Sequence, residues 1–199
     1  MTCFEEVPGN PMFMIHKPSQ ALIDRFIFEQ RRHGFSYPDV GATRGKLPVG
    51  YKIDHNRARL GHGVQLFRQA AASLRLWQMF NLGWVQIFPS NAQIEAGATV
   101  GVLAHHFGFW SLNACRIVYV IDEERRYGFA YGTLRDHAEE GEERFSLEWG
   151  TEDDSVVYDI LAFSRPRQWQ AKAARPLSRM LQRRFARDSM AAMKRGTFS

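Results

Sequence analysis

An arginine in the middle of an apolar strand requires an anionic partner or water, and Arg116 stands in such a place. Residues 111–121 alternate, setting Asn113, Cys115, Ile117 and Tyr119 on one face and Ala114, Arg116 and Val118 on the other. In the next run Tyr127, Phe129, Tyr131 and Thr133 share a face opposite Gly128, Ala130 and Gly132. Small residues at three alternate positions leave space beside these rows. Two readings follow. In one, Arg116 fixes a carboxylate or phosphate in a half-polar cavity whose aromatic side chains hold an apolar body. In the other, Arg116 lies on the outer face and pairs with a carboxylate from a turn.

Other reactive side chains assemble less well. Arg44 and the Gly61, His62, Gly63 turn, with Arg57 and Arg59 near in sequence, could receive an anion at the start of a helix. Neither the lysine-containing phosphate loop nor GxGxxG is present, so a glycine-assisted helix start is the simpler account. His105 and His106 are strand neighbours facing opposite ways, and His55 and His62 lack an acidic ligand in helical register. The histidines therefore call for no metal, and no signature calls for a cofactor. His137, with Glu142 and Glu143 close in sequence, could act as an acid/base group, although a solvated hairpin tip explains the same charges. Cys115, on a buried strand, reads as inert.

The elements that must position these residues are legible from periodicity. Residues 1–16 read as an irregular arm ahead of a single domain, 17–199. Pro18 and Ser19 open a first helix with Leu22, Ile23, Phe26 and Ile27 on one side, and Gly34 closes it. Residues 37–62, rich in Pro and Gly, read as loops around one short strand at Val49, Tyr51 and Ile53. A second helix spans about 63–79, with Val64, Phe67, Ala70, Ala71, Leu74 and Trp77 on a stripe. The period then drops to two: 82–88, 98–107, 112–121, 127–135, 144–149 and 156–163 read as six strands of an antiparallel meander. Its turns, 122–124, 136–143 and 152–154, hold most of the acid. A short helical piece after Pro166 precedes a long helix over 176–194. On that helical segment Trp169, Ala173, Leu177, Leu181 and Phe185 form a packing stripe, and Lys172, Arg175, Arg179, Arg183 and Arg187 a basic one.

Composition excludes several classes. The 199 residues are 45% hydrophobic and 24% charged, which argues against disorder and a coiled coil, while 13% aromatic content leans toward a curved, aromatic-lined sheet. Two cysteines cannot form a disulfide framework, and the start of the chain shows no secretory signal, so a cytoplasmic setting is expected. Residues 76–115 carry few charges but are interrupted by Gln, Asn, Pro and His, which suits buried strands better than a membrane span. Net charge is +5, concentrated in residues 165–195. That basic segment could contact anionic lipid or nucleic acid, or dock on the acidic turns of its own body.

This element order resembles the helix-grip fold of the START and Bet v 1 superfamily. The expected class is α+β: a curved antiparallel sheet of about six to seven strands packed on a long C-terminal helix, plus an extra N-terminal helix. That resemblance implies a cavity between sheet and helix, and fold alone assigns no chemistry. At the level of motifs, residues 37–43 (YPDVGAT), 128–133 (GFAYGT), 141–145 (GEERF) and 163–166 (FSRP) resemble an uncharacterised family of small bacterial and plant proteins known only as a domain of unknown function. The likeness implies no established activity. Tyr37 and Arg44, in and beside the first string, join Arg116, Asn113, Tyr119, Tyr131 and Thr133 as candidate ligand-binding residues. The expected function is binding of a small amphipathic or anionic hydrophobic ligand. The rivals are an enzyme on the same scaffold, with His137 or Tyr131 in acid/base roles, and peripheral contact through the basic helix.

Overall fold

The computed structural model describes residues 12–166 and 175–197. Seven strands run in the order β2 (Lys52–His62), β8 (Ser155–Pro166), β7 (Glu139–Trp149), β6 (Arg126–Thr133), β5 (Phe109–Glu123), β4 (Thr99–His106) and β3 (Val85–Phe88). Every pairing is antiparallel. An eighth strand, β1 (Met12–Met14), pairs with Trp110 to Leu112, the part of β5 that extends past the end of β6.

Alternation sorts the strands into two faces. On the inner face Phe129, Phe145 and Tyr158 are fully buried beneath α2 (Val64–Arg75) and α3 (Arg175–Gly196). Phe185 of α3 sets its ring 5.1 Å from Phe80 and 6.2 Å from Phe145, and Ser189 hydrogen-bonds the Tyr158 hydroxyl at 3.0 Å. Phe67 of α2 stacks on Trp149. Burying each such aromatic contributes about 1.5–3 kcal/mol, so the sheet and its two inner helices hold one another. On the outer face α1 (Gln20–Gln30), capped by Ser19, lays Ile23, Phe26 and Ile27 against Leu103, Leu112, Ala114 and Leu134.

Several elements differ from the expectation. The strand expected near 49–53 is the eleven-residue β2. Polar residues on both of its faces, Lys52, Asp54 and Asn56 inward and His55, Arg57 and Arg59 outward, erase the hydrophobic alternation that marks a strand. β7 begins at Glu139 rather than 144, so Glu139 to Glu143 are strand residues and not a turn. Residues 12–14 of the arm belong to the sheet. The second helix stops at Arg75 because Trp77 turns left-handed, its indole N–H donating to Ala92 O at 2.9 Å, before a turn of 3-10 helix at Gln78–Phe80. The expected short helix after Pro166, with Trp169, Ala173 and Lys172, lies outside the described residues.

One irregularity matters for the site. Ile117 pairs with Tyr131 while Tyr119 pairs with Ala130, so Val118 is an extra residue and the alternation of β5 reverses there. Tyr119, expected beside Cys115 and Ile117, is therefore on the outer face with Arg116.

Candidate functional site

The outer face of β7 is organised by Glu142, only 3% exposed. The segment 37–44 folds over it. Tyr37 donates its hydroxyl to Oε2 at 2.8 Å, and the Gly41 amide donates to the same oxygen at 2.6 Å. The Thr43 amide donates to Oε1 at 3.0 Å, joined there by the Thr43 hydroxyl. With its proton committed to Glu142, that hydroxyl accepts from Tyr119 at 2.7 Å. An ionised carboxylate offers about four acceptor sites, and all are taken. Burial, reinforced by the Glu142 charge, pushes the Tyr37 phenol well above its ordinary range, so it stays protonated and donating. Arg44 stacks on the Tyr119 ring 4.0 Å from its centroid. Alongside, Arg144 donates to Thr43 O at 2.9 Å and to Asp159 at 2.9 Å, while Asp159 also meets His55 at 2.7 Å and Arg57 at 3.2 Å. This saturated network pins the 37–44 segment and leaves no acceptor on Glu142 for a ligand.

Space beside Gly128, Ala130 and Gly132 was expected to be open. It is filled. A Cβ on Gly132 would overlap the Tyr37 hydroxyl, and one on Gly128 would stand 2.7 Å from Ser146 Cα and against the backbone of Phe145. These glycines permit close approach of a loop and a neighbouring strand rather than a cavity.

Arg116 is placed elsewhere on the outer face. It donates to the carbonyls of Gln30 (3.3 Å) and Arg31 (3.0 Å) and to Thr99 Oγ1 (3.2 Å), capping the C-terminus of α1, where positive charge is favoured. With Arg31, Asn91, Gln93, Glu95 and Thr99 it borders a wide hollow of about 710 Å³. Thr133 lies at the end of β6 with its hydroxyl 2.6 Å from Ser36 and accepting from the Gly141 amide at 2.9 Å. Asn113 accepts from the Ala138 amide at 3.4 Å. His137 accepts from the Glu139 amide at its Nδ1, at 3.0 Å.

Tyr131 belongs to a polar pair with a carboxylate on the inner face. Its hydroxyl donates to Glu143 Oε2 at 2.8 Å, amid Phe80, Phe129 and Phe145. Burial lifts the Glu143 carboxyl to about 7, with the Asp54 and Glu139 charges adding to the rise and the Tyr131 hydrogen bond opposing it. Burial, with Glu143 nearby, also raises Tyr131 and Cys115 far above their usual ranges, and Cys115 is accordingly a poor nucleophile. Glu143, although enclosed by protein, keeps some accessible surface, as do Ala162 and Asp54 on the adjoining strands. Among the described residues, the inner face is thus incompletely covered toward β2. Where the strands end, a hollow of about 270 Å³ is lined by Tyr51, Lys52, Glu139, Ser164, Arg179 and Gln182, among others. Gln182 bridges Glu139 (2.6 Å) and Ser164 (3.1 Å), and Lys52 pairs with Asp54 at 2.6 Å. On α3, Arg179 and Arg183 are exposed, and Arg187 pairs with Asp188 at 2.9 Å. The side chains of Lys172 and Arg175 lie outside the described residues.

The sequence profile of a family described as a domain of unknown function (DUF1990) matches residues 36–192. The chain belongs to the DUF1990 family. Relatives carrying the label UPF0548 protein include one from Dictyostelium discoideum, 35% identical over 89% of this chain and 92% of its own, and one from Deinococcus radiodurans, 37% identical over 88% and 94%. A plant relative, from Arabidopsis thaliana, is 29% identical over 84% and 85%. Among solved structures, the DUF1990 chain resembles the Zhui aromatase/cyclase from a Streptomyces species (TM-score 0.52, 12% identity, 74% of this chain and 93% of that one). A norcoclaurine synthase point mutant from Thalictrum superposes with a TM-score of 0.50 at 12% identity, over 77% and 100%. These neighbours establish the fold, the helix-grip architecture of Bet v 1-like proteins, and nothing of the chemistry. Among the described residues of the DUF1990 chain, no helix is long and apolar enough to cross a membrane.

Glu142, Glu143, Thr43, Arg144 and Asp159 were missed as organising residues. The available signal was the GEERF string itself: read as strand, it sends Glu142 and Arg144 to one face and Glu143 and Phe145 to the other.

Proposed function

We propose that this protein binds a small amphipathic molecule on the inner face of the sheet, at the end where α3 leaves it partly uncovered. The observation that supports this is the Tyr131–Glu143 pair, a polar group with residual access to water set in an aromatic floor. A core built only for stability gains little from a carboxyl there, since burying one without full compensation is costly. The apolar body of the ligand would lie toward Phe145 and Phe185. Its polar head would meet Lys52, Ser164, Arg179 and Gln182 in the adjoining hollow, which holds about nine water volumes. Arg179 has no carboxylate partner among the described residues, which favours an acceptor or anionic head. The buried, unpaired Cys115 suits a cytoplasmic setting.

Native mass spectrometry of the purified chain tests the reading. A small molecule retained by the native protein and lost from the Tyr131→Phe and Arg179→Gln variants supports it. An empty native protein that also shows no thermal shift across a panel of fatty acids, aromatic acids and sterol sulfates refutes it.

A catalytic reading has its own observation. Glu143 near neutrality, hydrogen-bonded to a phenol, is poised to exchange a proton with a bound molecule. Proteins of the same fold include the aromatase/cyclase and the norcoclaurine synthase solved with a transition-state analogue, so the scaffold hosts catalysis in those proteins. Turnover that follows a single ionisation near pH 7 and disappears in Glu143→Gln would distinguish catalysis from binding alone.

A further inference from the structure

The β4–β5 hairpin runs past the end of β6, with β3 beside it as far as Ala104. β6 ends with Thr133 opposite Cys115; beyond it β5 is paired with β4 on one side and, at Trp110 to Leu112, with β1 on the other. This projecting end carries four large apolar side chains in the open: Phe13 (58% exposed), Ile15 (71%), Phe107 (59%) and Phe109 (49%). The register that pairs Met14 with Trp110 brings Ile15 level with Phe109. Phe107 occupies the left-handed backbone region at φ 51°, unusual for a bulky side chain. It presents an aromatic ring at the tip where Gly or Asn would be the less strained choice.

The rim of this patch is basic. Lys17 lies over the Trp110 ring at 5.5 Å, His105 stacks on the same indole, and exposed His16 lies next to Lys17 in the chain. Arg184 of α3 covers Trp84, whose carbonyl accepts from the His105 amide. Neither 12–17 nor 103–113, the described segments at the tip, contains an Asp or Glu. The nearby acid on α3, Asp188, is already paired with Arg184 and Arg187.

We propose that this projecting end docks on an anionic lipid bilayer, with Phe107, Phe109, Ile15 and Phe13 entering the interface and Lys17 and Arg184 facing the head groups. An exposed apolar cluster at the end of a molecule marks an interaction site. Four side chains at roughly half exposure offer about 400 Å², well short of the roughly 800 Å² per partner in a standard protein interface. A bilayer asks for less: a few apolar side chains below the head groups and cations level with them. The surface differs from the basic stripe of the terminal helix, and the proposal is independent of ligand binding on the inner face.

The test is co-sedimentation of the full chain with large unilamellar vesicles, either pure phosphatidylcholine or containing about 30 mole per cent phosphatidylserine. The expected result is binding to the serine-lipid vesicles that weakens steadily as salt rises from about 50 to about 500 mM. Phe107→Ser with Phe109→Ser lowers the partition about tenfold or more, with an unchanged melting curve because both rings are exposed. Lys17→Gln lowers it less and flattens the salt response. The proposal is overturned if the native chain ignores anionic vesicles, or if the double variant binds as the native chain does. It is likewise overturned if sedimentation velocity shows a dimer that the double variant abolishes, which would assign the patch to a second copy.

Discussion

Replacing Gly132 by Ala isolates the contact on which the outer-face network closes. The added methyl overlaps the Tyr37 hydroxyl and stands 2.8 Å from Cε1 and Cζ of the same ring, whereas ordinary contact begins at 3.4 Å. The backbone of Gly132 is not in the left-handed region, so alanine introduces no torsional strain and the effect is purely steric. The ring must retreat by about half an ångström or more, which breaks the hydroxyl's 2.8 Å bond to Glu142. A lost hydrogen bond to a buried charge costs about 1.5–3 kcal/mol, and overpacking adds about 1–3 kcal/mol. The expected destabilisation is about 3–5 kcal/mol, a fall in melting temperature near 10 °C for a chain of this length. Denaturant unfolding of Gly132→Ala, Tyr37→Ala and the double variant reads it. Because the methyl does harm only by displacing Tyr37, the double variant should be little worse than Tyr37→Ala, a coupling of at least about 1.5 kcal/mol. Additive effects, or a Gly132→Ala protein within about 0.5 kcal/mol of the parent, would refute the argument.

Three further outcomes are expected. Burial pushes the Glu143 carboxyl up to about 7 in the folded protein, above its value in an unfolded chain, so the folded state binds the extra proton; the Glu143 contribution to stability should be fully present below about pH 4.5, decline as pH rises through about 7, and then level off. That decline should amount to about 3 kcal/mol and vanish in Glu143→Gln, as urea unfolding of the two proteins compared across pH would show. Tyr131→Phe removes the hydrogen bond that opposes the rise, so the Glu143 midpoint, followed by carbon-13 carboxylate NMR, should move higher still. Arg116→Gln strips the cap from Gln30 and Arg31, costing about 1–2 kcal/mol and accelerating amide exchange in the last turn of α1 more than in β5.

The architecture was legible wherever one periodicity held across a whole element. In β6 the large residues Tyr127, Phe129 and Tyr131 alternate with Gly128, Ala130 and Gly132, and Ser19 caps α1 through its hydroxyl as its position suggests. Reading failed where both faces of a strand are polar, as in β2, and where charge mimicked a turn, as at Glu139 to Glu143. The Glu142 network was hidden for another reason: its donors come from a segment about one hundred positions earlier, and no local pattern pairs Tyr37 with a carboxylate in β7. Arg116 could be recognised as needing a partner, but the partner is a pair of helix-end carbonyls rather than an anion.

The extra residue at Val118 lets one continuous strand serve two compartments in opposite phase. Upstream of it odd-numbered side chains report to the helix-covered interior; downstream the even-numbered ones do, as Val120 shows by packing with that core while Tyr119 and Ile121 cluster on the other side. A systematic alanine walk along β5 should therefore show its every-second-residue sensitivity skip a beat at 118. Excising that one position would pit the clamp holding Tyr119 against the register of everything beyond it, so that a deletion leaving no hole in the core would still be among the most damaging.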